Sequence, residues 1–331
     1  MSILMLMPDA HREAVFSPAS LERIRRCGTV VIAPSTDYDD PLVRGLIADA
    51  EVLVTGTGTP KLDGELLRSA PSLRAIIHTA GTLRPVVDID AYDLGLTLSS
   101  QAPTNAIPVA EYTLAMILLE LKGVNGIERV YRSSRREVDV DAILSRSGNF
   151  GRRVGIVSAS SIGRRVIELL RPFDLEVSVY DPFITGEAAQ QLGVEAVGLD
   201  HLLESSDLVS LHAPLLPETV GMIGANELAR LRDGAVLVNT ARGALIDQGA
   251  LERELATGRI RAVIDVTEPE VPAPDSPLWD LPNIVLTPHV AGSRGLELAR
   301  IGEQAAGEIE RLKRGEELRF AVSRTRYATN A

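Results

Sequence analysis

The sequence predicts an α/β fold made of two parallel-sheet domains. Three observations carry that expectation. Short β-rich runs alternate with helix-spaced apolar runs over about the first hundred residues, and a second alternation begins at Arg153. Strands alternating with helices imply parallel pairing with helices layered on the sheet. A length of 331 residues suits two domains of ordinary size.

In chain order, Ile3–Met7, Thr29–Ala33, Glu51–Thr55, Leu73–His78 and Leu96–Ser99 read as strands of the first half. Ala19–Cys27, Pro41–Ala50 and Leu62–Ser69 between them have helical apolar spacing. Pro103 to Pro108 reads as a hinge, two prolines flanking a polar turn. Val109–Leu121 is apolar nearly all round, which marks a buried helix, between domains or subunits. Arg132–Gly148 is polar and charged, a loop or variable helix. The second half offers strands at Val154–Ser158, Glu176–Tyr180, Leu208–His212, Ala235–Asn239, Arg261–Val266 and Ile284–Thr287. Its helices fall at Ser161–Arg171, Asp200–Ser205, Asn226–Leu231 and Asp247–Thr257, the last with Asp247 as N-cap and Gly258 beyond its end. Leu296–Lys313 reads as one amphipathic helix, and the tail after Val322 is expected to fray.

Composition narrows the function. The chain is 45% hydrophobic and 24% charged, a globular balance. Its formal net charge of -11 disfavours nucleic acid and anionic membrane as partners. Cys27 is the single cysteine, so no internal disulfide forms and a reducing, cytoplasmic setting is expected. Arg25 and Arg26 beside it would favour a reactive thiolate, but a lone cysteine at a helix end is more often structural. Ile3–Met7 runs into Pro8 without a preceding basic stretch, and so reads as a strand and not as a signal peptide. No segment has the ~18 apolar residues of a membrane helix, and neither paired Cys/His nor H-E-x-x-H spacing announces a metal site.

Val154 to Asp181 reads as a dinucleotide-binding strand-turn-helix-strand unit. Gly155-Ile-Val-Ser158-Ala-Ser160-Ser161-Ile162-Gly163 has the length of the phosphate turn, and Asp181 closes the next strand where a carboxylate accepts ribose hydroxyls. That carboxylate repels a 2′-phosphate, and no Lys or Arg occurs from Pro182 to Gly186, so NAD(H) is favoured over NADP(H). The first two glycines of G-x-G-x-x-G are replaced by Ser158 and Ser160. Two readings stay open: the hydroxyls donate to phosphate beside the helix amides, or their extra atoms weaken the cofactor's hold.

Three strand ends each deliver one polar group. Arg242 follows Ala235–Asn239, Glu270 lies beyond Arg261–Val266, and His289 follows Ile284–Thr287. Ligands of open α/β sheets bind outside the carboxyl ends of the strands. A guanidinium there can bind a carboxylate through two parallel hydrogen bonds, an imidazole can donate a proton, and a neighbouring carboxylate can orient that imidazole. Glu268 competes with Glu270 for that last role.

These stretches resemble the D-2-hydroxyacid dehydrogenase family. The likeness rests on Val238-Asn-Thr-Ala-Arg242-Gly-Ala-Leu-Ile-Asp247, Asp265-Val-Thr-Glu-Pro-Glu270 and Asn283-Ile-Val-Leu-Thr-Pro-His289-Val-Ala-Gly292, supported by Asp207–Thr219 and Asn105–Glu111. It runs from about Leu73 to Gly292 and is looser before. The resemblance implies two Rossmann/flavodoxin-like domains, a substrate domain from residues 1–103 plus 293–331 and an NAD-binding domain from residues 104–292, with the active site in the cleft between them and a homodimeric assembly. It implies Arg242, Glu270 and His289 as the catalytic set. Ser158, Ser160, Ser161, Ile162, Asp181, His212, Ala213, Thr240, Asp265 and Gly292 would hold NAD(H). Ala80-Gly81-Thr82 would present backbone amides to the carboxylate of a small 2-oxo or 2-hydroxy acid, with Arg242 and His289 completing the substrate contacts. Thr82-Leu83-Arg84 and Val271 depart from the family pattern. Formate enzymes carry Gln where Glu270 stands, which argues against formate. Thr57 and Thr59 are expected to select the substrate's side chain, His78 to pack or touch the Ala80 loop, and His11 and His201 to lie at the surface. The alternative from another class is an NADH-sensing interaction protein resembling the C-terminal-binding-protein corepressors, which the altered turn suits better than the intact Arg/Glu/His set does.

Overall fold

The computed structural model describes residues 1–329. The chain divides into two compact units, Met1–Asn105 with the chain from Ser293 onward, and Ala106–Gly292.

In the first unit, β1 (Ser2–Leu6), β2 (Thr29–Ile32), β3 (Val52–Thr55), β4 (Ala75–His78) and β5 (Thr97–Ser100) form a parallel sheet in the order β2-β1-β3-β4-β5. The central strands are apolar without alternation because both faces are covered. Leu4, Leu53 and Ile76 pack under helices Pro41–Asp49 and Gly64–Arg68, while Ile3, Met5, Val54 and Ile77 pack under Pro18–Arg25 and Leu298–Arg314. Ser17, Asp40 and Asp63 cap helices Pro18–Arg25, Pro41–Asp49 and Gly64–Arg68 through their side chains, and Pro18 and Pro41 fill the first helical turn, where no amide partner is needed. Gly302 is required by packing, since a Cβ there would lie 2.1 Å from the Val15 carbonyl oxygen.

The second unit holds β6 (Arg152–Val157), β7 (Leu175–Tyr180), β8 (Glu195–Ala196), β9 (Leu208–Leu211), β10 (Val236–Asn239), β11 (Arg261–Ile264) and β12 (Ile284–Leu286), all parallel, in the order β12-β11-β10-β9-β6-β7-β8. Strand order reverses between β6 and β9, so the residues leaving those two strands face the switch point where ligands bind in such sheets. Asp247 caps helix Gln248–Ala256, accepting from the Ala250 amide at 2.8 Å.

Several local expectations are corrected. The segment from Pro103 to Pro108 is no hinge loop: one helix, Ala102–Lys122, runs through both prolines. Pro103 sits in the first turn, where its missing N–H costs nothing, and the ~3 kcal/mol cost of an interior Pro108 is outweighed by burying Ala110, Ile117 and Leu121. Of the tail after Val322, expected to fray, the described residues form helix Arg324–Thr329, anchored by Tyr327, whose hydroxyl donates to the Val87 carbonyl at 2.6 Å and whose ring meets Tyr92 edge-on; residues 330–331 lie outside the described residues. Helix Gly186–Leu192 and strand β8 lie where the periodicity announced nothing. Arg132–Gly148 contains the end of helix Val124–Ser134 and a short helix, Val140–Ile143. Among the described residues no helix is long and apolar enough to cross a membrane, and no group of three or more His, Cys, Asp or Glu is gathered to hold a metal.

Candidate active site

The catalytic triplet proposed from sequence lies in the second unit, on the loops that leave three adjacent strands, β10, β11 and β12. Asn239, fully buried at the end of β10, shapes the Arg242 turn from both sides: its Oδ1 accepts the Ala241 amide at 3.0 Å and its Nδ2 donates to the Arg242 carbonyl at 2.8 Å. Gly243 then passes so close to the next loop that a Cβ would lie 2.1 Å from the Thr267 carbonyl carbon. Only glycine lets these two loops touch. Thr267 in turn donates its hydroxyl to the Pro269 and Glu270 carbonyls, fixing the loop that carries Glu270.

Glu270 and His289 meet directly. The His289 Nδ1 lies 2.6 Å from Glu270 Oε1; the carboxylate accepts, so Nδ1 carries the hydrogen and Nε2 is the ring nitrogen not committed to Glu270. Both side chains are partly open to solvent, 44% and 61% exposed. Arg242 is largely desolvated, which pulls its guanidinium below its usual pKa, and the Glu270 charge opposes that pull. A guanidinium remains cationic through such a shift. Its Nη1 donates to the Ala241 carbonyl at 2.7 Å.

His289 adopts φ of +52°, a left-handed conformation that costs a non-glycine residue roughly 1–2 kcal/mol. The turn is held by Asp265, which is 1% exposed. Its backbone carbonyl accepts the His289 amide at 2.8 Å, its Oδ1 accepts Thr287 Oγ1 (2.6 Å) and the Val290 amide (2.8 Å), and its Oδ2 accepts the Ala291 amide (2.9 Å). Because the Thr287 hydroxyl gives its hydrogen to Asp265, the Tyr112 hydroxyl, 2.9 Å away, must donate to Thr287. Tyr112, Thr287 and the clamping use of Asp265 are contributions that sequence reasoning missed. A threonine before the Pro-His pair and a buried acid after an apolar strand were the available signals.

The phosphate-turn residues gather at the switch point of the same unit. Ser158 leaves β6 at φ of +80°, the conformation a glycine would supply. Ser160 is the N-cap of helix Ser161–Leu170 and accepts the Gly163 amide at 3.3 Å; Ile162 lies in the first turn. A Cβ on Gly163 would lie 2.1 Å from the Ser158 carbonyl oxygen, so the surviving glycine is the one that helix-to-turn packing demands. Asp181 accepts Ser158 Oγ (3.1 Å) and the Ala159 amide (2.8 Å) at Oδ2, and the Phe183 amide (2.8 Å) at Oδ1. Arg164, unremarked in the sequence, brings its guanidinium to this turn by donating from Nε to the Ala159 carbonyl at 2.8 Å. His212 leaves β9 buried beside Ala213; its Nε2 pairs with Ser210 Oγ at 3.0 Å, its Nδ1 has no partner among the described residues, and burial pushes its pKa down to about 3. Thr240 is buried, its hydroxyl donated to Thr113, whose own hydrogen goes to the Val109 carbonyl. Gly292 is half-buried just past the Asp265-bound turn. A helix N-terminus facing a glycine-demanding turn, a carboxylate at the end of the next strand and a buried orphan nitrogen together fit a dinucleotide.

In the first unit, Ala80-Gly81-Thr82 follow β4. Their three amides find no protein acceptor among the described residues, and the buried Thr82 hydroxyl likewise lacks a partner. Successive unengaged amides are groups that can take an anion. His78 at the end of β4 is packed: its Nδ1 pairs with Thr55 Oγ1 at 3.0 Å, and burial, reinforced by His11, lowers its pKa to about 4. His11 is not a surface residue. Its ring lies against Gly56, and its Nε2 donates to Thr79 Oγ1 at 2.9 Å, because the Thr79 hydrogen is committed to the Thr55 carbonyl. Thr59 is consumed by its own turn, accepting the Gly56 amide and donating to the Leu6 carbonyl, so only Thr57 of that pair is exposed. Arg84 donates to the Tyr327 carbonyl. Cys27 is buried with its Sγ 3.4 Å from the Arg23 carbonyl, and burial, aided by Glu310, pushes its thiol pKa up, the opposite of activation.

Comparison with known proteins fixes the class of protein that carries these features. Residues 114–291 match the NAD binding domain of the D-isomer specific 2-hydroxyacid dehydrogenases, and the chain belongs to that family. Its cofactor is accordingly NAD(H). The D-3-phosphoglycerate dehydrogenase of Archaeoglobus fulgidus is 30% identical over 309 residues, 93% of this chain and 58% of that protein. The glyoxylate reductase of Korarchaeum cryptofilum is 34% identical over 272 residues, 82% of each. The structure of Aquifex aeolicus D-lactate dehydrogenase, solved with NAD and lactic acid, matches with a TM-score of 0.72 and 26% identity, covering 96% of both chains. The chain spans about half the length of most curated relatives it matches, the phosphoglycerate dehydrogenases.

Proposed function

We propose that this chain is an NAD(H)-dependent oxidoreductase that interconverts a small 2-oxo acid and a D-2-hydroxy acid, with His289 as acid and base. When bound, NADH supplies a hydride to the carbonyl carbon of the 2-oxo acid. Arg242 grips the substrate through its planar fork and polarises the carbonyl oxygen. His289 gives that oxygen a proton from Nε2, and takes it back in the oxidising direction. Glu270 fixes the ring's orientation and compensates the positive charge. Asp265 acts through His289 as a positioning residue, and the amides of Ala80, Gly81 and Thr82 receive the substrate carboxylate. The unit made from both chain ends serves as the substrate domain, and the unit between them as the nucleotide domain.

The observation that carries this reading is the 2.6 Å contact between His289 Nδ1 and Glu270 on loops adjoining the Arg242 turn. A pure NADH sensor has no use for an oriented proton donor, so the sensing alternative is set aside. The relative named glyoxylate reductase, matched over most of its length, supports a small substrate. Helix Val124–Ser134 and the segment after it expose Val124, Val130, Tyr131, Val140 and Ile143, an uncovered apolar stripe that supports a homodimer. The lone, inert Cys27 suits a cytoplasmic enzyme.

The test is NADH oxidation with glyoxylate, pyruvate, hydroxypyruvate and longer 2-oxo acids. Turnover on at least one of them is expected. NADH binding with no turnover on any would return the sensing alternative.

A further inference from the structure

The first serine of the altered phosphate turn neither points its hydroxyl at a phosphate nor stands idle. Ser158 Oγ donates to Asp181 Oδ2 at 3.1 Å, and the same oxygen accepts the Ala159 amide at 2.8 Å. The other oxygen, Oδ1, accepts the Phe183 amide at 2.8 Å. An ionised carboxylate has about four acceptor positions. Three are filled by the protein itself, and a ribose diol brings two donors. The count leaves one hydroxyl without a seat unless a protein donor withdraws. Two of the three donors are backbone amides, fixed by the Ala159 turn and by the bend after Asp181. Ser158 Oγ alone sits on a side chain that can rotate.

We infer that Ser158 sets the enzyme's cofactor affinity by occupying the acceptor position on Asp181 that the second adenosine-ribose hydroxyl of NAD(H) takes. The inference rests on the NAD(H) reading of this turn and adds to it a specific competitor. The cofactor enters by displacing one hydrogen bond to a charged acceptor, so it binds more weakly than the ribose-reading carboxylate alone would allow. Such a bond is worth about a factor of ten at the lower end of the range for charged acceptors, because the released hydroxyl regains water. Geometry explains why the residue is tolerated. A left-handed serine is strained, and the bond to Asp181 offsets that strain in the cofactor-free protein. Ser160 does not share the role, since its hydroxyl caps the helix by accepting the Gly163 amide.

The experiment measures NADH dissociation constants by fluorescence or calorimetry for the wild-type chain, Ser158→Gly and Ser158→Ala. Ser158→Gly suits φ of +80° and keeps the fold. Ser158→Ala retains the Cβ and the strain and removes only the hydroxyl. Both variants are expected to bind NADH about tenfold more tightly. A cofactor lacking one adenosine-ribose hydroxyl supplies the second reading. Its penalty relative to NADH is expected to be within about threefold in the wild type, where Ser158 stays in place, and about tenfold in both variants. Unchanged or weakened NADH binding in Ser158→Ala overturns the inference, as does an equal penalty in all three proteins. Tighter binding in Ser158→Gly alone assigns the effect to backbone strain and also overturns it. Absence of NADH binding to all three proteins is a different failure, which removes the NAD(H) reading itself and the inference with it.

Discussion

Replacing Asp265 by Asn changes one atom and should disable the turn that carries His289. The carboxylate is buried and accepts three protein donors, Thr287 Oγ1 and the Val290 amide on one oxygen and the Ala291 amide on the other. Asparagine keeps a single acceptor oxygen. Placed at Oδ1 it retains Thr287 and Val290, but its NH₂ then faces the Ala291 amide, donor against donor. The loss comprises a bond to a charged acceptor, about 1.5–3 kcal/mol, and the penalty of a buried amide left unpaired, about 1–3 kcal/mol. Their sum is roughly 2.5–6 kcal/mol, more than the ~1–2 kcal/mol of left-handed strain at His289 that the clamp opposes. The turn should therefore relax, and His289 should leave the position set by its φ of +52°. Urea unfolding of Asp265→Asn is expected to show the stability loss, with turnover on the best 2-oxo acid reduced at least ~10-fold. Full turnover despite a 3 kcal/mol stability loss would refute the positioning argument. A stability loss under ~1 kcal/mol would refute the clamp.

Three further outcomes follow from the same geometry. His78 and His212 are held neutral, with folded pKa values of about 4 and about 3, against about 6.5 unfolded. Below pH 6.5 the unfolded chain gains a proton that the folded one refuses, so the stability they contribute is present above that pH and is lost as pH falls toward 4. The loss between pH 7 and pH 5 should be about 2 kcal/mol for each histidine, measured by urea unfolding, and His78→Leu should flatten the slope for the first unit. Gly243→Ala should destabilise the second unit by roughly 1–3 kcal/mol and lower turnover, because its Cβ would press on the Thr267–Glu268 backbone; unchanged melting and turnover would show that the two loops can separate freely. Tyr327→Ala should cost roughly 3 kcal/mol and release helix Arg324–Thr329 to fast amide exchange, whereas protection equal to the wild type would deny its anchoring role.

How much of this was legible in the sequence depends on the kind of residue. The parallel strands announced themselves because each is a short apolar run between turn residues, and β8 escaped because Glu195–Ala196 is too short to show a period. The prolines at 103 and 108 signal a break locally, yet the burial of Ala110, Ile117 and Leu121 decides for a helix. Arg242, Glu270 and His289 could be singled out because polar groups directly after apolar strands are conspicuous. Their supports were silent: a fully buried Asn239, a Tyr112 one helix away and the close pass at Gly243 depend on contacts between distant segments. His11 and Tyr327 look like surface residues in polar surroundings, and only the fold brings them partners.

The most direct test of the central claim compares wild-type and His289→Asn protein in single-turnover NADH oxidation with a saturating 2-oxo acid, alongside NADH binding. The proton-donor role predicts a fall of roughly 10²-fold or more in the rate, with the dissociation constant of NADH within about threefold of wild type. A rate within about tenfold of wild type, with binding intact, would contradict it.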